Sequence, residues 1–199
     1  DLHEGNFFGE MSQIDGQPRS ASATTTQTAR LLVLDREHFQ RYVLSQARIV
    51  AKMNQVEDLP VCEALTRASQ AGVQIDLIVR GFCCLKPGVP GWTENLRVRS
   101  IVGRFLEHGR VFHFANGAEN PLDGEFFIGS ADWMDRNLSR RVEAVTPIRV
   151  RHLRERLWED LTVQLEDRRN AWQMQPDGTY QRLEAAEGAN VEFDKVLLI

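Results

Sequence analysis

Apolar positions along this chain come in short runs, punctuated by glycine, proline and charged turns, and the spacing inside each run predicts its element. Leu31 to Leu34 reads as a strand, and Asp35 as the N-cap of a short helix through Leu44. Asp58 and Pro60 open a helix that turns Val61, Leu65 and Ala68 inward, and Gly72 ends it. Val73 to Val79 is a nearly continuous apolar run rich in β-branched residues, the signature of a strand buried on both faces. Gly81, Pro87, Gly88, Pro90 and Gly91 make the next stretch a loop at that strand's C-terminal end, where open α/β sheets tend to place ligands. Val98, Ile101, Val102, Phe105 and Leu106 follow a helical stripe, which predicts a helix from Asn95 to Glu107 with Arg97 and Arg104 on its other face. Val111 to Phe114, Glu125 to Gly129 and Val142 to Val145 read as strands. Val150, Leu153, Leu157, Leu161 and Leu165 give a long amphipathic helix, and the polar stretch from Asp177 to Asn190 reads as loosely held. Helices alternating with buried strands predict an α/β fold.

Composition changes this picture little. At 199 residues, 42% hydrophobic and 26% charged, the chain suits one domain and a smaller piece. A formal charge of -4 argues against bulk binding to nucleic acid or an anionic membrane. Any polyanion must therefore be held locally, and the interval Arg97 to Arg110 supplies four arginines against one acid, Glu107. The three cysteines, Cys62, Cys83 and Cys84, show no zinc spacing and suggest a reducing compartment; Cys83 and Cys84 read as packing residues. With no long apolar run and no signal-peptide pattern, the expected location is the cytoplasm. The first residue is Asp1 rather than Met, so the chain is expected to begin inside a longer protein.

The candidate chemistry lies between Ile75 and Arg141. Arg80 ends an apolar strand, His108 ends the run from Arg104, and Ser130, Asp132, Arg140 and Arg141 follow. Guanidinium groups and an imidazole are the tools for neutralising phosphoryl oxygens and carrying a proton beside them, so the stretch reads as a phosphate-handling site. His113, between Phe112 and Phe114, reads as a residue of a strand face rather than a ligand.

Two resemblances sharpen these readings. Phe7-Phe8-Gly9-Glu10-Met11-Ser12, Asp15-Gly16-Gln17-Pro18-Arg19-Ser20-Ala21 and Leu32-Val33-Leu34-Asp35-Arg36-Glu37-His38-Phe39 resemble the phosphate-binding cassette and following strand of bacterial cyclic-nucleotide-binding domains. The resemblance implies a partial, β-rich roll over residues 1–46. Its Glu10 would meet a ribose hydroxyl, and Arg19 and Ser20 a cyclic phosphate.

The second resemblance runs from Arg48 to about Pro176. Ile75-Asp76-Leu77-Ile78-Val79-Arg80-Gly81, Pro87-Gly88-Val89-Pro90-Gly91, Asn95 through His108 and Ser130-Ala131-Asp132-Trp133-Met134 resemble the C-terminal domain of bacterial polyphosphate kinase. This implies a phospholipase D-like mixed sheet flanked by helices over residues 47–199. His108-Gly109-Arg110 and Gly129-Ser130-Ala131-Asp132 stand where the parent superfamily has His-x-Lys and Gly-Ser-x-Asn, and the Arg110 fork would suit phosphate oxygens. The resemblance also implies reversible phosphoryl transfer between ATP and polyphosphate with Mg2+, in an oligomer. Arg80 would contact phosphate, His108 would bind phosphate and act as a general acid, and Arg141 would face the polyphosphate path, with Ser130 and Asp132 supporting the geometry. The phosphorylated histidine and magnesium ligands would lie in a preceding domain, leaving this portion inactive alone. The alternative reading is a module that responds to a cyclic nucleotide.

Overall fold

The structure, a computed structural model, describes residues 22–28 and 47–184. The expected strand at Leu31 to Leu34, the helix after Asp35, and Glu10, Arg19 and Ser20 lie outside these residues.

Three parallel strands form the centre of one sheet: β1 (Arg48–Met53), β2 (Gln74–Val79) and β3 (Leu96–Ile101). Beyond β1 come β4 (Val111–Phe114), β5 (Glu125–Gly129) and β6 (Val145–Ile148), all antiparallel to their neighbours. Beyond β3 come β7 (Ala171–Met174) and β8 (Tyr180–Arg182), giving the order β6-β5-β4-β1-β2-β3-β7-β8. The mixed α/β sheet agrees with the fold class expected from the sequence.

Helices cover both faces of the sheet. Helix α1 (Leu59–Gln70) is capped by the Asp58 carboxylate, which accepts from the Val61 N–H at 3.0 Å, with Pro60 in its first turn. Its Cys62 and Leu65 pack with Met53, Leu77, Val79 and Val98. On the opposite face, helix α3 (Arg151–Glu166) packs Leu157 and Leu161 with Val50, Ile78, Ile101 and Phe126. A short helix, α2 (Asp135–Arg140), separates β5 from β6. Among the described residues no helix is long and apolar enough to cross a membrane.

Residues 95 to 107 depart from expectation. Leu96 to Ile101 form β3 rather than a helix, and Val102 to Arg110 follow as irregular chain. Over so short a run Leu96, Val98 and Ser100 fit a two-residue period as well as Val98, Ile101 and Phe105 fit a helical one, and pairing with β2 and β7 decides the outcome. The arginines therefore lie on no common helical face. Arg97 Nε donates to the buried Asp76 at 2.8 Å, and Arg48 Nη2 grips the same carboxylate at 2.9 Å. Arg99 donates to the carbonyls of Gln164 and Leu165, satisfying acceptors that the end of α3 leaves open. Arg104 rests near the Phe105 ring.

Two smaller corrections concern sheet edges. The strand expected at Val142 begins only at Val145, because Ser130 and Ala144 exchange backbone and hydroxyl hydrogen bonds just before pairing begins. The polar tail is not loose throughout, since Tyr180 to Arg182 pair with β7 as β8. Cys83 packs against the core as expected, whereas Cys84 is exposed.

His113 is fully buried on the α3 face, between Phe126 at 4.5 Å and Trp158 at 4.8 Å, with Nε2 2.9 Å from the Pro121 carbonyl. A Cβ on Gly124 would lie 2.9 Å from that nitrogen and 2.6 Å from the Phe114 carbonyl, so only glycine fits there. Burial holds the imidazole below its ordinary pKa, against the pull of the Pro121 carbonyl, and the Arg48 charge adds to the depression. The unfolded chain therefore takes up this proton first as pH falls. The stability contributed by the neutral ring is complete above the ordinary histidine pKa of about 6.5 and is lost below it. Urea midpoints measured on either side of that pH should fall on the acid side, and His113→Gln should flatten the dependence.

Candidate active site

The C-terminal ends of the parallel strands meet the N-terminal end of β4 and the C-terminal end of β5 along one edge of the sheet. Chain reversal there delivers Asn54 after β1, Arg80 after β2, Arg110 before β4 and Asp132 after β5. Asp132 joins them. Its buried carboxylate accepts from the Asn54 backbone N–H at 2.7 Å and from Asn54 Nδ2 at 3.1 Å. It also receives the Arg110 fork, Nε at 3.1 Å and Nη2 at 3.0 Å. Such a two-point, charge-assisted pair fixes orientation as well as position.

Each end of this chain of hydrogen bonds presents one of the residues singled out in the sequence. Asn54 Oδ1 accepts from Arg80 Nε at 2.9 Å, which fixes the guanidinium by its inner nitrogen. Among the described residues the two terminal nitrogens of Arg80 have no hydrogen-bond partner. At the other end, Arg110 Nη1 lies 3.1 Å from His108 Nδ1 and donates to the His108 carbonyl at 3.0 Å. The imidazole itself is exposed. The expected use of the Arg110 fork is therefore corrected: Asp132 holds its Nε and Nη2, and Nη1 faces His108.

Arg141 lies at the C-terminal end of α2, exposed to solvent. Its guanidinium acts on Glu143, which accepts from Ser130 Oγ and Asn137 Nδ2. Those two hydrogen bonds hold the Glu143 carboxyl below its usual range, helped by the Arg141 and Arg110 charges. Behind the loop from Val102 to Arg110, Lys52 pairs with Glu107 at 2.7 Å, its ammonium almost wholly buried.

Asn54, Lys52 and Glu143 went unmarked in the sequence. A polar residue directly after a buried strand was the one available sign of Asn54; Glu143 carried none.

Arg80 also borders a groove of about 340 Å³ with Ser100, Val102, Trp172 and Tyr180. A larger hollow, about 580 Å³, lies against α1, and none of the network residues lines it. Among the described residues no group of three or more His, Cys, Asp or Glu side chains could hold a metal ion. Both Asp132 oxygens are engaged by Asn54 and Arg110.

An open α/β domain with a cationic cluster at the C-terminal edge of its parallel strands is the class that fold and site define. The family model described as polyphosphate kinase C-terminal domain 2 matches residues 22–193, and the chain belongs to that family. Polyphosphate kinase of Thermosynechococcus vestitus is 52% identical over 162 residues, covering 81% of this chain and 21% of that protein. The Burkholderia multivorans polyphosphate kinase is 58% identical over 144 residues, covering 71% of this chain and 20% of its own. The crystal structure of polyphosphate kinase from Porphyromonas gingivalis aligns with a TM-score of 0.66 and 33% identity, over 89% of this chain and 28% of that one. The chain thus spans about a fifth of the length of these curated relatives. The family match includes residues 22–28, which precede β1, and starts after Glu10, Arg19 and Ser20.

Replacing Asp132 by Ala should cost about 3 kcal/mol of stability, because it leaves Arg110 buried without its partner. Asp132→Asn should cost less, since the amide oxygen can still accept. Denaturant unfolding of both variants checks the order.

Proposed function

We propose that this chain supplies the ATP- and polyphosphate-holding half of a polyphosphate kinase active site, serving reversible transfer of a terminal phosphoryl group. The observation that carries the reading is Arg80: its Nε is tied to Asn54, its outer nitrogens are unpaired among the described residues, and it shares one hydrogen-bonded chain with His108. Phosphoryl transfer depends on positioning and on neutralising charge spread over the phosphoryl oxygens, so a pre-aimed guanidinium lowers the barrier without reorganising. In this reading the outer nitrogens of Arg80 bind two phosphoryl oxygens. A ring N–H of His108 binds a third and can pass its proton to a leaving oxygen, while Arg110 holds the imidazole in place. Arg141 extends the positive surface toward a polyphosphate chain.

The sequence resemblance assigns the covalent phosphohistidine and the magnesium ligands to a preceding domain, so turnover belongs to the assembled, oligomeric enzyme in the cytoplasm. Magnesium held there would supply neutralisation of phosphate charge. Residues 47–199 form the kinase-derived unit in this reading. Residues 1–46 form a partial cyclic-nucleotide roll with Glu10, Arg19 and Ser20 as its ligand contacts, a reading that rests on sequence resemblance alone.

Arg80→Ala and His108→Ala should each weaken binding of ATP or polyphosphate by about tenfold, with folding unchanged by circular dichroism. Full retention of affinity in both variants would refute the assignment. Calorimetry with cAMP, with Arg19→Ala as control, tests the reading of residues 1–46. Heat lost in the control supports nucleotide binding, and a heatless titration of the native chain removes it.

A further inference from the structure

All three cysteines of the chain converge on one place next to this site. Cys62 sits on α1, and Cys83 and Cys84 on the segment that leaves β2 directly after Arg80. Cys62 Sγ and Cys84 Sγ lie 3.9 Å apart, both thiols border the 580 Å³ hollow against α1, and neither is bonded covalently. The third thiol is turned elsewhere: Cys83 donates to the Leu85 carbonyl at 3.6 Å. Cys62 is buried and Cys84 exposed. One partner of the close pair is thus open to a reagent in solution, while the other waits behind it.

We propose that Cys62 and Cys84 are a dithiol–disulfide pair, a site of reversible oxidation by peroxide. The sulfur of Cys84, as its thiolate, attacks one peroxide oxygen. An S–O bond forms, the O–O bond breaks, and the departing hydroxide takes up a proton as water. The sulfur of Cys62 then gives up its proton and attacks the Cys84 sulfenic acid. An S–S bond forms, the S–O bond breaks, and a second water leaves. Two thiols are oxidised to one disulfide while one peroxide is reduced to two waters.

Burial, with the neighbouring Cys84 next in effect, pushes the Cys62 thiol up to about 12, and burial pushes Cys83 up to about 11. Neither of these raised thiols, Cys62 buried and Cys83 half-buried, competes for the oxidant at neutral pH, which fits exposed Cys84 as the first to react. A disulfide needs its sulfurs about 2.05 Å apart, so Cys84 must move toward α1 and leave the Val56 carbonyl that its thiol now meets at 3.4 Å. That movement acts on the site through a short backbone ladder. Cys84 N–H donates to Val56 at 3.0 Å, Val56 N–H to Phe82 at 2.9 Å, and Gly81 N–H to Asn54 at 2.9 Å. The same strip carries Arg80 and Asn54, so oxidation disturbs the aim of Arg80. This consequence, though not the disulfide itself, rests on the phosphate-binding role proposed above.

The test treats the reduced, full chain with a slight excess of hydrogen peroxide, caps remaining thiols with maleimide, and reads intact mass and cross-linked peptides. The expected product has one adduct, on Cys83, in place of three, and a Cys62–Cys84 link that dithiothreitol reverses. Cys83→Ala should form the same link, and Cys84→Ser, an exposed substitution, should abolish it with the fold intact. Three adducts after treatment, or a link through Cys83 instead, overturn the proposal. Polyphosphate affinity measured on the same samples should fall by about fivefold on oxidation and recover on reduction. Unchanged affinity in a fully cross-linked sample overturns the coupling. Absence of binding by the reduced chain would instead count against the phosphate-binding role, with the disulfide judged by mass alone.

Discussion

One buried carboxylate holds the candidate-site edge of this sheet together. Asp132 is buried, where an unpaired charge would be costly, and it receives an amide N–H and a side-chain amide from Asn54 and two nitrogens from Arg110. These partners come from the end of β1 and the start of β4, and Asp132 itself from beyond β5. Three separate turns of chain are thereby fixed to one point. Arg80 and His108 need no direct contact with each other, because each is held by a neighbour that Asp132 already positions.

The same device recurs toward the N-terminal ends of the parallel strands with a different outcome. Asp76 on β2 lies between Arg48 of β1 and Arg97 of β3, so one buried carboxylate crosses the three parallel strands. There the arginines close on the carboxylate and serve the fold. At the edge, the chain of bonds leaves Arg80's outer nitrogens without a partner among the described residues and His108 exposed. Whether a guanidinium is structural or available thus depends on how many of its nitrogens the protein itself engages.

That distinction explains what could be read from the sequence. Helices α1 and α3 were legible because a cap at Asp58 and a leucine stripe from Leu153 to Leu165 are local signals. Strands β4 and β5 were legible because Val111 to Phe114 and Glu125 to Gly129 are short apolar blocks bounded by turns. Strand β3 was misread because its six residues satisfy two periods, and only its neighbours choose between them. Arg80 was singled out by its strand-end position and, with His108, by resemblance, and the structure ties both into one hydrogen-bonded chain. Asn54 and the engagement of Arg110 were not singled out, since both depend on a carboxylate far along the chain, 78 residues from Asn54. No local window contains that pairing.

The outermost strand on one side bears on how the domain can meet other chains. Among the described residues β6 is an exposed edge strand, with Pro147 in its interior opposite Phe127. Proline offers no amide hydrogen and interrupts the row of donors that a foreign strand would need for continuous pairing. Growth of the sheet by strand addition is therefore disfavoured along this border. Any contact made along this border is left to side chains and not to the backbone of the sheet.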